Sequence, residues 1–416
     1  MTSKKPLSEV TTFISRGISP KYDESGYVVI NQRCIRDQRV DFSSARYSSR
    51  EKTSVMPEKL VRQWDGLVNS TGVGTLGRVA QILRPVNSTI IDSHVTIVRP
   101  NLEQVDGRYF GYALFDIEKY IETLGIGATG QTELSRGRLS EVEIAVPSLP
   151  TQRKIAAILS AYDDLIENNL RRIKILEEMA QSLYREWFVK FRFPGHQHAR
   201  FTDSPLGRIP EGWEVKRLGD AFLIVLGGTP SRNRPEFWRN GTVPWINSGK
   251  VNDFRVTEPS ELITELALKK SAAKLMPPGT TLIAITGATL GQVSILEIEA
   301  SANQSVVGVI SEDENLIEWL HLTIRERISS IINHASGGAQ QHINKGIVDD
   351  VVVAVPPGNI AEKFRNIVHP LYRQIAGLIF KNITLRRTRD LLLPRLISGE
   401  VDVSELDIAV TEEASA

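Results

Sequence analysis

A single cysteine, Cys34, occurs among 416 residues. One thiol cannot close an internal disulfide, so the fold must be held by burial, and a reducing cytoplasm is the expected setting. No apolar run approaches the roughly 20 residues of a membrane span. The N-terminal stretch MTSKKPLSEVTTF has lysines but no apolar centre, so no secretory signal is expected. Charge of one sign is not in excess: 50 Lys and Arg face 49 Asp and Glu, a formal net charge of +1. Any attraction for a polyanion must therefore be local. Catalytic signatures are missing as well. There is no GxxxxGK[ST] phosphate loop, no HExxH pair, no nucleophile elbow around any serine, and no [ND]PP[FYW] methyltransferase tetrapeptide. The nearest approach to the last, Val355-Pro356-Pro357-Gly358, has the wrong flanks.

Weaker signals have plainer explanations. Gly72-Val73-Gly74-Thr75-Leu76-Gly77 matches GxGxxG. However, the residues after it, Arg78 to Leu83, read as a strand rather than the helix a dinucleotide site needs, so a tight glycine turn is expected. His196 and His198 lie in a Pro- and Gly-rich stretch without cysteine or acidic neighbours and read as exposed loop residues. Two Asn-x-Ser/Thr triplets, at Asn69 and Asn87, are discounted with no signal peptide in view. Cys34 reads as an incidental, exposed thiol.

What is present is a repetition. GATGQTELSRGRLSEVEIAVPS (127–148) is matched by SGGAQQHINKGIVDDVVVAVPP (336–357), with Gly137 over Gly346, an offset of 209. Upstream, Gly17 aligns with Gly228, Asn31 with Asn247, and Gly77 with Gly291. A period near 200 residues is too long for a solenoid, whose repeats run at about 20–50 residues, so a whole domain and its connector are duplicated.

Each copy ends in a helical pattern. Ile155, Leu159, Tyr162, Ile166, Asn169, Ile173, Leu176, Ala180, Leu183 and Trp187 step by four and three. Phe364, Val368, Leu371, Ile375, Leu378, Asn382, Leu385, Arg389, Leu392 and Leu396 repeat them 209 positions on. These are heptad seams, and two in one chain can bury their stripes against each other, with Asn169 and Asn382 setting register. Pro394 is expected to end or kink the second helix. Ile158, Leu165, Leu170, Ile175 and Phe188 fall off the seam and offer an apolar surface to a partner.

The predicted fold is therefore α+β. Two similar mixed α/β recognition domains are separated by two long helices forming an antiparallel coiled coil, with a pseudo-two-fold internal repeat. The first domain spans 1–148, its helix 149–192, a linker 193–210, the second domain 211–356, its helix 357–402, and a frayed tail 403–416.

Basic residues cluster at matched places. Arg33, Arg36, Arg39, Arg46, Arg50 and Lys52 fall within 31–52; Arg232, Arg234, Arg239, Lys250 and Arg255 fall within 232–255, interleaved with Trp238 and Trp245. Lys and Arg neutralise phosphates, and Arg can grip a guanine edge. Gln131, Thr132, Gln340, Gln341 and Asn344 lie in Gly-rich loops, where Gln and Asn amides suit adenine. One such cluster could be an ordinary solvated face, but two at corresponding positions point to nucleic acid. The candidate DNA-contacting residues are Asn31, Arg33, Arg36, Thr71, Arg78, Gln131 and Thr132 in the first copy. In the second they are Asn247, Ser248, Lys250, Thr286, Gln340, Gln341 and His342.

Several stretches together resemble the specificity subunits of type I restriction–modification systems. They are GGTPSR…FWRNGTVPWINSGKV, SAAKLMPPGTTLIAITGATLGQV, ASGGAQQHINKGIVDDVVVAVPP, LLLPRLISGEVDV and the connector from Val146 to Phe188. The first copy departs from the pattern: it lacks the IPEGWEVKRLGD lead-in found at 209–220. The resemblance implies a cytoplasmic, non-catalytic subunit in which each domain reads one half of a bipartite double-stranded DNA site. The helices would set the spacer and dock a pair of methyltransferase subunits, with restriction/translocase subunits in the same complex and no membrane involved. No cofactor is expected in this chain; S-adenosylmethionine, ATP and Mg would sit on the partner subunits. The seam from Ile155 to Trp187 would span about 48 Å at roughly 1.5 Å per residue, on the order of 10–14 base pairs at about 3.4 Å each. Two rival readings remain at this point: a stand-alone DNA methyltransferase or nuclease, and a coiled-coil scaffold protein without DNA binding.

Overall fold

The computed structural model describes residues 3–125, 132–252, 254–335 and 343–410. The chain divides into two compact units. One comprises residues 1–166 with 384–416, the other 167–383. Each unit owns one globular part and one stretch of each long helix.

The two units share a common core topology and differ in their outer strands. In the first, the strands Thr11–Arg16, Val95–Pro100, Gly66–Asn69 and Val79–Gln81 form an antiparallel sheet in that order. A second sheet pairs Thr89–Ile91 in parallel with Tyr27–Ile30, which pairs antiparallel with Arg46–Ser48. In the second unit the main sheet runs Leu223–Leu226, Val306–Ile310, Thr281–Ala284, Val293–Leu296, Arg255–Val256. Beside it, Val243–Ile246 pairs in parallel with Ala300–Ala302. A two-stranded ribbon leads into each long helix: Lys4–Pro6 with Glu143–Ala145, and Glu214–Arg217 with Val352–Val355. The architecture is α+β, built twice.

The central strands of the main sheets, such as Gly66–Asn69, Val95–Pro100 and Thr281–Ala284, are buried along their whole length, whereas the edge strands Thr11–Arg16 and Leu223–Leu226 are partly exposed. Successive side chains point to opposite faces. Leu67, Val95 and Ile97 join one apolar cluster with Ile30 and Ile91, while Val68 and Val98 face the helix Gly107–Asp116 through Tyr109 and Phe110. The second unit repeats the division: Leu282 and Ala284 pack with Ile246 and Met276, and Ile283 and Val307 with Trp319.

The long helices are Leu149–Tyr184, which runs on into a π-helical turn Arg185–Val189, and Gly358–Ser398. They pack antiparallel within each unit. In the second, Asn169 bonds Asn382 at 2.8 Å and the Trp187 ring lies 5.7 Å from that of Phe364. In the first, Arg389 Nη1 donates to Asp163 at 2.5 Å, and Ile155 and Leu159 share a core with Leu393, Leu396 and Ile397. Ile166 and Ile375 are fully buried.

Several expectations change. The second helix runs through Pro394, and through Pro370, to Ser398. Burial of Leu393, Leu396 and Ile397 outweighs the missing backbone donor, and Gly399, at φ +79°, ends the helix instead. Phe188 belongs to the second unit's core rather than to a docking surface. Leu165, Leu170 and Ile175 are exposed. The stretch 193–210 carries structure of its own, with Phe193 buried and a hairpin of Phe201–Ser204 with Gly207–Pro210. Cys34 is buried, not exposed, and burial pushes its thiol pKa up. The structural partner of Gly17 is Gly227, not Gly228: their N–H groups donate to the equivalent carbonyls of Val95 and Val306, each at 3.0 Å.

Candidate nucleic-acid interface

The repeated residues turn out to be backbone devices. Asn31 and Asn247 each cap a short 3-10 turn at the end of the equivalent strand. Asn31 Oδ1 accepts from the Arg33 N–H at 2.8 Å, and Asn247 Oδ1 accepts from the Gly249 N–H at 3.0 Å. Asn31 is also buried; its backbone N–H donates to Cys34 Sγ at 3.4 Å and its Nδ2 to the Ser44 carbonyl at 3.4 Å, so its side-chain amide is engaged in the turn. Gly77 (φ +85°) and Gly291 (φ +82°) close equivalent loops where helix residues press on the backbone. A Cβ at Gly77 would lie 2.5 Å from Glu122 Cα, and one at Gly291 2.3 Å from Ile332 Cδ1. The GxGxxG stretch is a glycine turn, with Thr75 and Leu76 donating to the Gly72 carbonyl and strand Val79–Gln81 following.

In the first unit these turns converge. Asn69 Nδ2 donates to the Gln32 carbonyl at 3.1 Å, joining the Asn31 turn to the end of strand Gly66–Asn69. Thr71 bridges to Glu133, and Leu134 donates to the Ser70 carbonyl at 2.8 Å, so half-buried Thr132 re-enters beside Thr71. Thr71 Oγ1 bonds His94 Nδ1 at 2.7 Å. Arg78 is half-buried and donates to the Gly74 carbonyl at 2.8 Å, which fixes its direction but leaves other donors free. Arg33, Arg36 and Arg39 are exposed and make no ion pair among the described residues. Arg36 and Arg39 flank a two-residue hairpin turn.

In the second unit the turn Ser248–Asn252 packs against the turn Gly287–Thr289 that follows Thr286. Ser248 and Lys250 are half-buried, and Lys250 makes no ion pair among the described residues. Ile343 donates to the Ile285 carbonyl at 3.1 Å, as Leu134 does to Ser70. Gln131, Gln340, Gln341 and His342 lie outside the described residues.

The second basic cluster is less available than its composition suggests. Arg255 is buried against Glu297 and lies over the Tyr372 ring, 4.5 Å from its centroid. Burial pushes its pKa down to about 10. Arg232 is held bidentately by Glu261, at 2.7 and 2.6 Å, and stacks 3.5 Å over Trp238. Trp245 is buried with its Nε1 donating to the Gly228 carbonyl, so it is core rather than a platform for bases. Arg239 remains exposed.

His94 escaped the sequence reading, because a lone histidine carries no signal. Its place is marked only by the fold. The His94 N–H donates to Asp92 Oδ1 at 2.9 Å, and in the second unit the Ser305 N–H donates to Asn303 Oδ1 at 3.1 Å. The same turn thus presents an imidazole in one unit and a hydroxyl in the other. Among the described residues no group of three His, Cys, Asp or Glu could hold a metal ion. No described helix is long and apolar enough to cross a membrane.

The family model for the type I restriction modification DNA specificity domain matches residues 64–178 and again 210–382. The MjaIX specificity subunit of Methanocaldococcus jannaschii is 31% identical over 301 residues, covering 72% of this chain and 69% of that one. The HindI specificity subunit of Haemophilus influenzae is 23% identical over 453 residues, covering 93% and 98%. The crystal structure of a type I S subunit from M. genitalium has the same fold, with a TM-score of 0.57 at 16% identity, covering 95% of this chain and 96% of that one. With two copies of the family's domain spanning more than half of its length, the chain belongs to the type I restriction–modification DNA specificity family, the non-catalytic subunits that supply sequence recognition.

Proposed function

We propose that each unit reads one half of a bipartite double-stranded DNA target and that the two halves are unlike. One observation carries this reading: the same core topology is built twice, but the exposed residues on corresponding loops differ. The caps and glycines match, whereas His94 stands where the second unit has Ser305, and the Arg36–Arg39 hairpin has no counterpart hairpin among the described residues. Shared turns hold the loops; unshared side chains decide what each unit contacts. Arg33, Arg36, Thr71, Arg78, Thr132, Ser248, Lys250 and Thr286 are the proposed contacts, together with Gln131, Gln340, Gln341 and His342. Asn31 and Asn247 shape the turns that carry them.

The long helices would set the spacer between the half-sites and dock a pair of methyltransferase subunits. Leu165, Leu170, Ile175 and Met179 are exposed on the first helix, as a partner surface requires. S-adenosylmethionine, ATP and Mg would reside on those partners and on restriction/translocase subunits, in the cytoplasm. Family membership favours this reading over a scaffold without DNA binding. The test is to sequence methylated adenines in cells carrying the chain and its partner subunits. A discontinuous motif with two unlike halves is expected; a continuous or palindromic motif would overturn the proposal.

A further inference from the structure

The strands Ile35–Arg36 and Arg39–Val40 place Arg36 directly opposite Arg39. Directly opposed residues of an antiparallel pair project to the same face, about 5 Å apart, where like charges repel. The turn between them adds a second cost. Asp37 and Gln38 have φ of +51° and +61°, the signature of a type I′ turn, yet neither is glycine. Neither arginine makes an ion pair among the described residues. Asp41 lies within Coulombic reach of Arg36 but spends its carboxylate on the Ser43 and Ser44 hydroxyls, at 2.6 and 2.9 Å.

The hairpin is nonetheless rigidly mounted. Ile35 is fully buried in the apolar cluster beneath it. At the tip, Gln38 Nε2 donates to Glu118 Oε2 at 3.3 Å, and Glu118 Oε1 accepts the Val79 N–H at 3.1 Å. A preorganised element that carries opposed like charges is strained in isolation and is relieved by an anion placed between them.

We propose that the Arg36–Arg39 hairpin is a clamp on the DNA phosphate backbone beside the half-site read by the first unit, an inference that rests on the DNA-reading function above. The backbone is the anion that is present at every target whatever its sequence, and two guanidinium groups side by side suit phosphate oxygens. A single guanine edge is satisfied by one arginine. The second unit takes a different course here: after Asn247 its chain forms the turn Ser248–Asn252 and then strand Arg255–Val256, where the arginine is buried. The clamp therefore belongs to one half-site only.

The test measures binding of the full-length chain to a duplex bearing its methylated motif and to an unrelated duplex, across a salt series. The double variant Arg36→Ala/Arg39→Ala is expected to weaken both duplexes alike and to reduce the slope of log affinity against log salt by about two. Arg39→Glu is expected to bring the same loss of binding while raising the thermal midpoint of the free protein, since it converts a repulsive pair into an attractive one. Unchanged affinity and slope in the double variant would overturn the clamp while leaving the specificity function standing. So would a loss confined to one base pair with the slope kept, which would make the hairpin a base reader. A lowered thermal midpoint in Arg39→Glu would also overturn it, by showing that the arginine pair serves the hairpin itself. Absence of salt-dependent binding by the wild-type chain would sink the function and the clamp together.

Discussion

Asn169 Nδ2 donates to Asn382 Oδ1 at 2.8 Å, and both side chains are buried on the seam between the long helices. Asn382 Nδ2 has no further partner among the described residues. A polar pair in an apolar seam costs stability and defines one alignment, because any slip buries each amide alone. Asn169→Leu should therefore destabilise the protein by about 1–3 kcal/mol, the cost of stranding a buried polar group. Adding Asn382→Leu should recover that loss or exceed it, as an apolar pair replaces the polar one. Denaturant midpoints of the two single variants and the double variant test this; a double variant less stable than either single one would refute it.

Asn31 and its exposed neighbours should separate on mutation. Asn31→Ala removes a cap and should cost about 0.5–2 kcal/mol of stability while leaving the methylated motif unchanged. Arg33→Ala and Lys250→Ala should leave stability within about 0.5 kcal/mol and each lower the salt slope of DNA binding by about one. Thermal unfolding and a salt titration of each variant check the assignment. An altered motif in Asn31→Ala would return that residue to the reading surface.

Stability should fall with acid through His321. This side chain is fully buried, its Nδ1 2.7 Å from the Tyr372 hydroxyl, with the Phe254 ring 5.1 Å away and Arg325 and Arg255 adding positive charge. Burial, chiefly, holds its pKa well below the ordinary histidine value. The unfolded chain therefore takes up a proton near pH 6.5 that the folded chain refuses. The contribution is full above that pH and is lost below it, at up to about 1.4 kcal/mol per pH unit. Glu118 and Glu177 are shifted upward by burial and work in the opposite sense. The informative quantity is therefore the difference between wild type and His321→Gln. The variant should gain on the wild type as pH drops from 7 to 5; a difference independent of pH would rule out this titration.

If the long helices set the spacer, adding one heptad to each should lengthen it. Seven residues add about 10 Å at 1.5 Å per residue, or about three base pairs at 3.4 Å. Mapping the sites modified with wild-type and lengthened chains decides the matter. A spacer that stays constant in a folded, active complex would reject the ruler.

What could be read without coordinates were the features whose cause is local. The heptad seams are local: the residues named from Ile155 to Trp187 and from Phe364 to Leu396 are buried or half-buried at every position. So are the glycines whose φ is positive and the asparagines that cap turns, since one residue's own geometry demands that type. These same features revealed the duplication, and through it the family. The same conspicuousness has a second cause, because Asn31 and Asn247 also shape the turns that carry their neighbours.

The rest depended on neighbours far away in the chain. Arg255 reads as one more member of a basic cluster until Glu297 and Tyr372, distant in the chain, close on it in the folded unit. Trp245, on its strand, and Cys34, in the turn Gln32–Cys34, look available until the segments that carry them are covered. Pro394 forbids a helix by local rules, yet the helix continues because Leu393, Leu396 and Ile397 fill a core made by residues more than 200 positions earlier. Local conformational preference is worth a few kcal/mol at most and is written into the sequence. Burial of several large apolar side chains outweighs it, and which side chains are buried is decided only when the distant segments pack.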